Sequence, residues 1–348
     1  VLSMSLPMVL SMLVNSLYNI IDSYFVAKIS ENAMTALSLV YPLQILINAV
    51  AVGLGIGLNT AASFYLGAQD HEKANDSASL GMVLSVIHGL VLTFVCVLIV
   101  PSFLHLFTQD ESVISYALTY SYIVFGFTTP ITISIAMEKI FQAEGQMMIT
   151  MTTMLCGCIT NIVLDPIFIF GLGPVPEMGI AGAAWATGIG QIVPMVLYFI
   201  IYLKKPLPLR LRIRKGMFDR KLCGRIYGVG IPAALNMALP SLMITALNGI
   251  LASFSAVYVL VLGIYYKLQT FIYLTANGIV QGIRPIAGYN YGAGEYQRVR
   301  NVFKTALALT AGVMLAGTII CMTFASWLMG LFTSNPETIA AGCTALRI

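Results

Sequence analysis

Charged residues are scarce in this sequence. Asp, Glu, Lys and Arg make up 9% of its 348 residues, whereas a soluble domain carries about 25%. Apolar residues make up 58% of the chain, in runs close to the ~20 residues that cross a bilayer as a helix. The shortage of charge excludes an ordinary soluble domain, and the runs predict an all-α, polytopic membrane protein. The formal net charge of +4 is too small to indicate a nucleic-acid partner.

The sequence also lacks the residue spacings of several common sites. Its six cysteines lie mostly within apolar runs and form no zinc or disulfide framework. Its three histidines share no ligand spacing. No nucleotide-binding loop is present, so ATP is not expected to drive this chain. We expect no resident cofactor, with a small-molecule solute and the lipid bilayer as partners.

Lys and Arg gather in alternate loops between ten apolar segments. The segments run over 4–28, 34–60, 77–102, 113–136, 147–170, 179–203, 226–252, 257–285, 303–330 and 337–348. The basic loops hold Lys73, Lys139, Arg298 and Arg300, and nine of the 18 basic residues fall within 204–225. Because basic loops stay in the cytoplasm, we predict a multi-pass cell-membrane protein with a cytoplasmic N-terminus and a basic cytoplasmic linker at 204–225. Binding of anionic lipid by this linker is the alternative reading.

The two halves of the chain are related by a repeat. A shift of 225 residues aligns 41–108 with 266–333 without a gap, and 17 of those 68 positions are identical. Six segments precede the linker, so the second half enters the membrane in the same direction as the first. We therefore predict two parallel six-helix lobes around a central cleft, 1–203 and 226–348, with the second incomplete at about three and a half helices. Such an arrangement suits alternating access.

Asp165 stands in the apolar stretch NIVLDPIFIF at 161–170. Asn161 precedes it by about one helical turn, so the two side chains share a face. Pro166 should bend the helix and free a backbone carbonyl. These oxygens suit a small hard cation, and a buried carboxylate can equally carry a proton. The alternative is a hydrogen-bonded Asp that only holds a kink.

Asp22 and Thr187 are weaker candidates for the same chemistry. Asp22 lies in the first segment, where Pro7 favours another bend, but its place near Lys28 would also suit an interfacial residue. Thr187 offers a hydroxyl within GIAGAAWATGIG. Threonines in membrane helices usually bond to their own helix, and the small residues around it favour close helix packing. From the residues alone, both assignments stay open.

Tyr41 and Gln44 occupy positions of the repeat equivalent to Tyr266 and Gln269, which predicts that they line a central substrate cavity. Lys267, Asn277 and Gln281, polar residues of the eighth segment, are further candidates for this lining. Aromatic side chains facing a cavity favour flat or cationic organic solutes, although tyrosines are also common interfacial anchors. Arg284 is expected to extend to the cytoplasmic interface instead.

Three motifs together resemble the multidrug and toxic compound extrusion (MATE) transporters, in their DinF-like branch. They are IIDSYFVAKIS at 20–30, NIVLDPIFIF followed by GIAGAAWAT at 179–187, and GIRPIAGYNYGAGEYQRVR at 282–300. The resemblance covers essentially the whole chain. It implies a cation-coupled antiporter with twelve helices in two lobes, and not an enzyme.

The resemblance also implies a site in the first lobe. A cation or proton would bind at Asp22, Asn161, Asp165 and Thr187, near a helix bend at Pro7, and the same four residues would hold Na⁺ if sodium is the coupling ion. The implied function is export of small organic, cationic or amphipathic compounds in exchange for H⁺ or Na⁺, by a monomer. The chain departs from the family pattern at Ala27, where glycine is common, and in a slightly longer loop before Thr187.

Two rival functions fit parts of the sequence. A lipid-linked precursor flippase of the same superfamily would need a more cationic cavity, for which Lys267 and Arg284 are the candidates. An intramembrane aspartyl protease could use two membrane Asp residues as a dyad. However, Ile-Val-Leu precedes Asp165 where that class carries Gly-x-Gly, and a protease has no use for the repeat. Antiport of small compounds is therefore the predicted function.

Overall fold

A computed structural model describes the backbone of residues 1–205, 207–254, 256–330 and 335–347. Within these ranges, side chains are not described for Lys215, Ser241, Leu242, Thr245, Gly249, Ala252, Ala256, Val259, Leu260, Lys267 and Phe271. The described residues form helices and connecting turns, and none of them lies in a β-strand. Seven described helices are long and apolar enough to cross a bilayer, or eight with one bent pair taken as a single span. The predicted all-α polytopic class is confirmed.

The first lobe contains seven helices. They are α1 (Leu2–Ala27), α2 (Glu31–Gly67), α3 (His71–His105), α4 (Glu111–Gly126), α5 (Thr128–Ala143), α6 (Met147–Phe170) and α7 (Ile180–Lys204). Side-chain oxygens of Ser30, Asp70 and Asp110 cap the N-termini of α2, α3 and α4, which satisfies backbone N–H groups that begin a helix without a partner. With α4 and α5 counted as one crossing, the lobe has six.

The fourth crossing is broken, although the sequence predicts one continuous span over 113–136. The axes of α4 and α5 differ by 45°, and the break falls at Phe127. Pro130 lies in the first turn of α5, where the backbone N–H that proline lacks would have no partner within the helix. The hydroxyl of Thr93 donates to the Phe125 carbonyl at 3.2 Å, so an α4 carbonyl near the break is not left unpaired within the membrane.

The second lobe contains α8 (Arg220–Ala252), α9 (Ala256–Gly292), α10 (Tyr296–Thr323), α11 (Ala325–Gly330) and α12 (Pro336–Arg347). Helix α8 starts inside the stretch predicted as linker, because Asp219 accepts a hydrogen bond from Lys221 N and caps it. The predicted ninth segment is divided between α10 and α11. Helix α9 packs against α10 and α12 within its own lobe and against α1 and α2 of the first lobe.

Residues between α7 and α8 lie across one end of the first lobe and are held there by side chains. The backbone N–H of Leu209 donates to Glu144 Oε1 at 2.6 Å, that of Arg210 to Asn75 Oδ1 at 2.7 Å, and that of Arg212 to Ser79 Oγ at 2.9 Å. We call this end of the molecule the linker end. It also contains the α2–α3, α5–α6 and α9–α10 turns and the start of α1.

The two lobes pack tightly near the linker end. A Cβ on Gly53 would stand 2.7 Å from the Gly230 carbonyl oxygen, and a Cβ on Gly282 would stand 2.5 Å from Ser5 Cα. The Ser5 hydroxyl also donates to the Ile279 carbonyl at 3.3 Å. Without a hydrophobic driving force in lipid, helices associate through such small-residue contacts. The structure is therefore closed between the lobes at the linker end.

Candidate ion-coupling site

Two carboxyl groups meet inside the first lobe. Asp22 on α1 is 9% exposed and Asp165 on α6 is fully buried, and the two carboxyl groups lie close enough to interact directly. Helices α1 and α6 pack along each other, which brings together two residues that are far apart in the sequence. Two neighbouring buried carboxyl groups can share a single proton, because two adjacent negative charges in a low dielectric repel each other.

Asn161 and Thr187 adjoin this pair. Asn161 is 2% exposed, and with its amide oriented to satisfy both partners it donates to Asp165 Oδ2 at 3.2 Å and accepts from Thr187 N at 3.3 Å. Gly157 and Gly190 allow this approach of α6 and α7, since a Cβ on Gly157 would stand 2.6 Å from the Gly190 carbonyl oxygen. The longer loop before α7 does not displace Thr187 from the other three residues.

Two buried oxygens at this site are left without a hydrogen-bond partner among the described residues. They are Asp22 Oδ1 and Thr187 Oγ1. Buried polar atoms are nearly always paired, so unpaired oxygens beside two carboxyl groups are suited to take a proton or a small cation. Among the described residues, neither this site nor any other place brings together three or more His, Cys, Asp or Glu residues that could hold a metal ion.

A cavity of about 60 Å³ opens beside the carboxyl pair. Its walls include Asn15, Tyr18, Glu138, Asn161 and Thr187. Of the polar residues predicted to line a cleft, Gln44 donates to Tyr120 Oη at 3.3 Å within the first lobe, Gln281 accepts from Lys139 Nζ of the other lobe at 3.1 Å, and Tyr41 is 57% exposed. Tyr266, Gln269 and Asn277 are half-buried. The side chain of Lys267 lies outside the described residues.

Helices α1 and α6 continue through their prolines. Pro7 lies within Leu2–Ala27 and Pro166 within Met147–Phe170. The Ser11 hydroxyl donates to the Pro7 carbonyl at 2.8 Å, which satisfies a backbone acceptor close to the position where bending is predicted. Pro166 directly follows Asp165, so any change in the helix at this proline would move the carboxylate.

Sequence reasoning missed Tyr120, and it misplaced the adjacent residues Glu138 and Lys139. Tyr120 on α4 is 2% exposed and lies close to Asp22, but a tyrosine in an apolar run gives no distinguishing signal. Glu138 and Lys139 were placed in a basic loop at 137–146, and the structure corrects this placement. Helix α5 continues to Ala143, and Lys139 is buried within it. The signal available in the sequence was an acid directly followed by a base at the end of an apolar run, which indicates that the helix can continue through the pair.

Comparisons with known proteins assign the chain to a family. The MatE family model matches residues 7–167 and 232–348. The multidrug export protein MepA of Staphylococcus aureus (strain MSSA476) is 26% identical over 349 residues, covering 99% of this chain and 75% of that protein. MepA of Staphylococcus haemolyticus (strain JCSC1435) is 25% identical over 345 residues with the same coverage.

Solved structures agree with this assignment. An outward-facing multidrug resistance MATE transporter of the MOP superfamily superposes with a TM-score of 0.91 and 26% identity, over 99% of this chain and 76% of that one. A MOP superfamily transporter from Pyrococcus furiosus, whose binding pocket of reverse polarity suggests a different function, matches with the same values. The resemblance seen in the three motifs is thereby confirmed. The chain belongs to the MATE family, a family of membrane transporters and not of enzymes.

Proposed function

We propose that this protein exports small organic compounds by antiport, in exchange for a cation that binds at Asp22 and Asp165. The observation that carries the proposal is the contact between these two buried carboxyl groups on different helices. Carboxyl groups inside a membrane protein are costly and usually mark an ion pathway. The names of the relatives, multidrug export proteins, support drug-like solutes.

Helix α1 is positioned to transmit ion binding to the second lobe. Asp22 in its second half contacts Asp165, while Ser5 and Val9 in its first half pack against Ile279 and Gly278 of α9. A ligand shifts an equilibrium between two states only by binding one of them better. An ion that binds between α1 and α6 favours the arrangement in which the two helices hold it, and α1 carries that preference to the lobe interface.

The geometry favours the proton as the coupling ion. Two neighbouring buried carboxyl groups can share a proton as they stand, whereas Na⁺ would require both carboxylates and the oxygens of Asn161 and Thr187 to turn around it. Sodium stays the alternative, since the same four residues supply only oxygen ligands, which suit a hard cation. In either case the ion is cargo, and the protein needs no resident cofactor.

Efflux measured in vesicles tests the function and the ion together. Purified protein in liposomes, loaded with a fluorescent organic cation, is given an inward-directed pH gradient alone or a Na⁺ gradient alone. We expect the pH gradient to drive dye export and the Na⁺ gradient to have little effect. Export under the Na⁺ gradient alone would assign the site to sodium. Export under neither gradient, with protein that still binds the dye, would contradict antiport.

Charge in the first lobe favours cationic solutes over the anionic cargo of a lipid-linked precursor flippase. Among its described interior residues, Asp22, Asp165 and Glu138 supply acid, and Lys139 is the buried base, already paired with Glu138. Among the described residues of the second lobe, Arg284 most favours the flippase, because a flippase would need a more cationic cavity. Failure of a negatively charged lipid analogue to compete with dye export would support the assignment to cationic or amphipathic compounds.

The surroundings of the protein follow from the same proposal. The bilayer covers the apolar helices, and the basic linker end faces the cytoplasm, which puts the N-terminus there as well. We propose a monomer in the cell membrane, without a nucleic-acid partner. Labelling of an introduced cysteine at His71 from the cytoplasmic side only, in oriented vesicles, would establish this orientation.

A further inference from the structure

Lys139 uses all its hydrogen-bonding capacity inside the protein. Only 2% of the residue is exposed, and its ammonium donates to Glu138 Oε1 at 2.7 Å, Gln142 Oε1 at 3.0 Å and Gln281 Oε1 at 3.1 Å. An ammonium has three N–H donors, so no donor is left over. Glu138 and Gln142 belong to α5, but Gln281 belongs to α9 of the second lobe. We call these four residues the interlobe latch.

The latch is packed between charged and apolar neighbours. Gln142 donates from Nε2 to Glu138 Oε1 at 2.7 Å and to Met8 Sδ at 3.3 Å, so α1 covers one side of it. Arg284, one turn beyond Gln281 on α9, exerts a repulsive charge on Lys139. The charged groups that face Lys139 are therefore one acid, Glu138, and one base, Arg284.

Glu138 also lines the first-lobe cavity. This residue forms part of the same wall as Tyr18, Asn161 and Thr187, while its Oε1 accepts the hydrogen bond from Lys139. The single charge that neutralises Lys139 is thus within reach of whatever occupies the cavity. This arrangement connects the contents of the first lobe with a hydrogen bond between the lobes.

We propose that Lys139 is a positioning residue that ties closure of the linker end to the charge of the cavity, an inference that rests on the proposed antiport. While Glu138 is ionised and binds no proton or cation from the cavity, its charge balances that of Lys139. Lys139 then holds Gln281, and the linker end stays closed. When a cation or proton in the cavity takes up the charge of Glu138, Lys139 faces Arg284 with its counter-charge lost. An uncompensated buried charge is strongly unfavourable, so the lobes separate and water reaches Lys139.

Substitutions of Gln281 change the latch without removing the buried ion pair. Gln281→Leu removes the acceptor in the second lobe. Gln281→Glu replaces a neutral acceptor by a charged one and should strengthen the contact. Asn290→Leu is the matched control, since Asn290 lies on the same helix and donates only to the Ile286 carbonyl of that helix, at 2.8 Å. Lys139→Met with Glu138→Gln removes both charges together and keeps the site neutral.

Distances between spin labels at the linker end measure closure directly. Labels are attached at His71→Cys and Gln297→Cys, exposed positions of the first and second lobe, in full-length protein in lipid nanodiscs with the native cysteines replaced. We expect Gln281→Leu to lower the ratio of closed protein, with short distances, to open protein, with long distances, by about tenfold. This change corresponds to about 1.4 kcal/mol. Gln281→Glu should raise the ratio, and Asn290→Leu should leave it unchanged.

The outcomes separate this inference from the proposed function. Unchanged distances in both Gln281 variants, in protein that still shows two distance populations and exports dye, would overturn the latch and leave antiport intact. A wild-type protein with one distance population and no export would overturn the proposed function itself. The role of Lys139 would be supported if the double variant Glu138→Gln, Lys139→Met opens as Gln281→Leu does. In that double variant, added organic cation should cause no further change in the distances.

Discussion

Gly67 of the first lobe lies against the backbone carbonyl of Tyr289 in the second lobe. The repeat carries the same contact in reverse: Gly292 lies against the carbonyl of Phe64, and a Cβ on either glycine would overlap that oxygen. A shift of 225 residues relates Gly67 to Gly292 and Phe64 to Tyr289. The two lobes therefore meet at the linker end through a symmetric pair of glycine–carbonyl contacts.

This pair predicts that alanine at either glycine opens the linker end. In Gly67→Ala or Gly292→Ala, the new Cβ meets backbone, which moves less readily than a side chain, and overpacking of this kind costs about 1–3 kcal/mol. The cost falls on the closed state only, because the glycines separate when the lobes part. Faster alkylation of a cysteine introduced at Ser63, which faces Gly288, would show the opening.

Gly312→Ala is the control for this prediction. Gly312 lies within α10, and a Cβ there would meet no atom within 4 Å. Equal alkylation of the Gly67→Ala and Gly312→Ala proteins would contradict the assigned role of the glycine–carbonyl contacts.

Asp165→Asn should abolish coupled export while the protein still folds. Asparagine keeps the size of the side chain and its contact with Asn161, but it neither shares a proton with Asp22 nor binds a cation strongly. Dye export driven by a pH gradient should fall to the level of empty liposomes, and Asp22→Asn should act in the same way. Glu177→Gln, at an exposed loop position, should export normally. Export by Asp165→Asn at the wild-type rate would remove Asp165 from the site.

The helical period of the sequence was sufficient to place Asn161 beside Asp165. Residues four apart on one helix share a face whatever the rest of the fold does. The contact between Asp22 and Asp165 depends on how α1 packs against α6, and only the family resemblance pointed to it. Tyr120 reaches Asp22 from a third helix, and nothing local in the sequence distinguishes it from other tyrosines in apolar segments.

Glu138 and Lys139 show why span boundaries limit prediction from sequence. Charged residues were taken to end an apolar segment, so both were placed in a loop. Within the protein they neutralise each other and α5 runs past them to Ala143. The break at Phe127 was missed for the opposite reason, since no charged residue lies between Glu111 and Glu138 to mark it. The helical, membrane-spanning character of the chain was predictable because it depends on the length of the apolar runs.

From the buried carboxyl group of Glu144 we predict that the attachment of the linker to the first lobe depends on pH. Burial raises the pKa of this carboxyl group from 4.5 to about 7, against a lowering effect of the hydrogen bond from Leu209 N. Because the pKa is higher in the folded state, the stabilising contribution is complete below pH 4.5 and is lost as pH rises toward 7. The Tm of the wild type, measured relative to that of Glu144→Gln, should therefore fall between pH 5 and pH 8. A constant difference across that range would show that Glu144 does not titrate there.

We predict that the ion pair between Arg214 and Asp76 is the side-chain contact that holds the linker against the first lobe. Its guanidinium donates to both oxygens of Asp76, from Nε at 2.8 Å and from Nη2 at 2.6 Å, and it also pairs with Glu72. Both carboxylates raise its pKa further above the ordinary value, so it stays charged at every working pH. A bidentate pair fixes orientation as well as charge, and Asp76 is buried whereas Glu72 is largely exposed.

Asp76→Asn should therefore loosen the linker much more than Glu72→Gln. Limited trypsin digestion measures this, because Arg210 and Arg212 are cleavage sites within the linker and neither substitution alters them. We expect cleavage at these residues to be several-fold faster in Asp76→Asn and nearly unchanged in Glu72→Gln, whose exposed ion pair contributes little. Equal cleavage in the two variants would mean that the backbone hydrogen bonds to Glu144, Asn75 and Ser79 hold the linker without the Arg214–Asp76 pair.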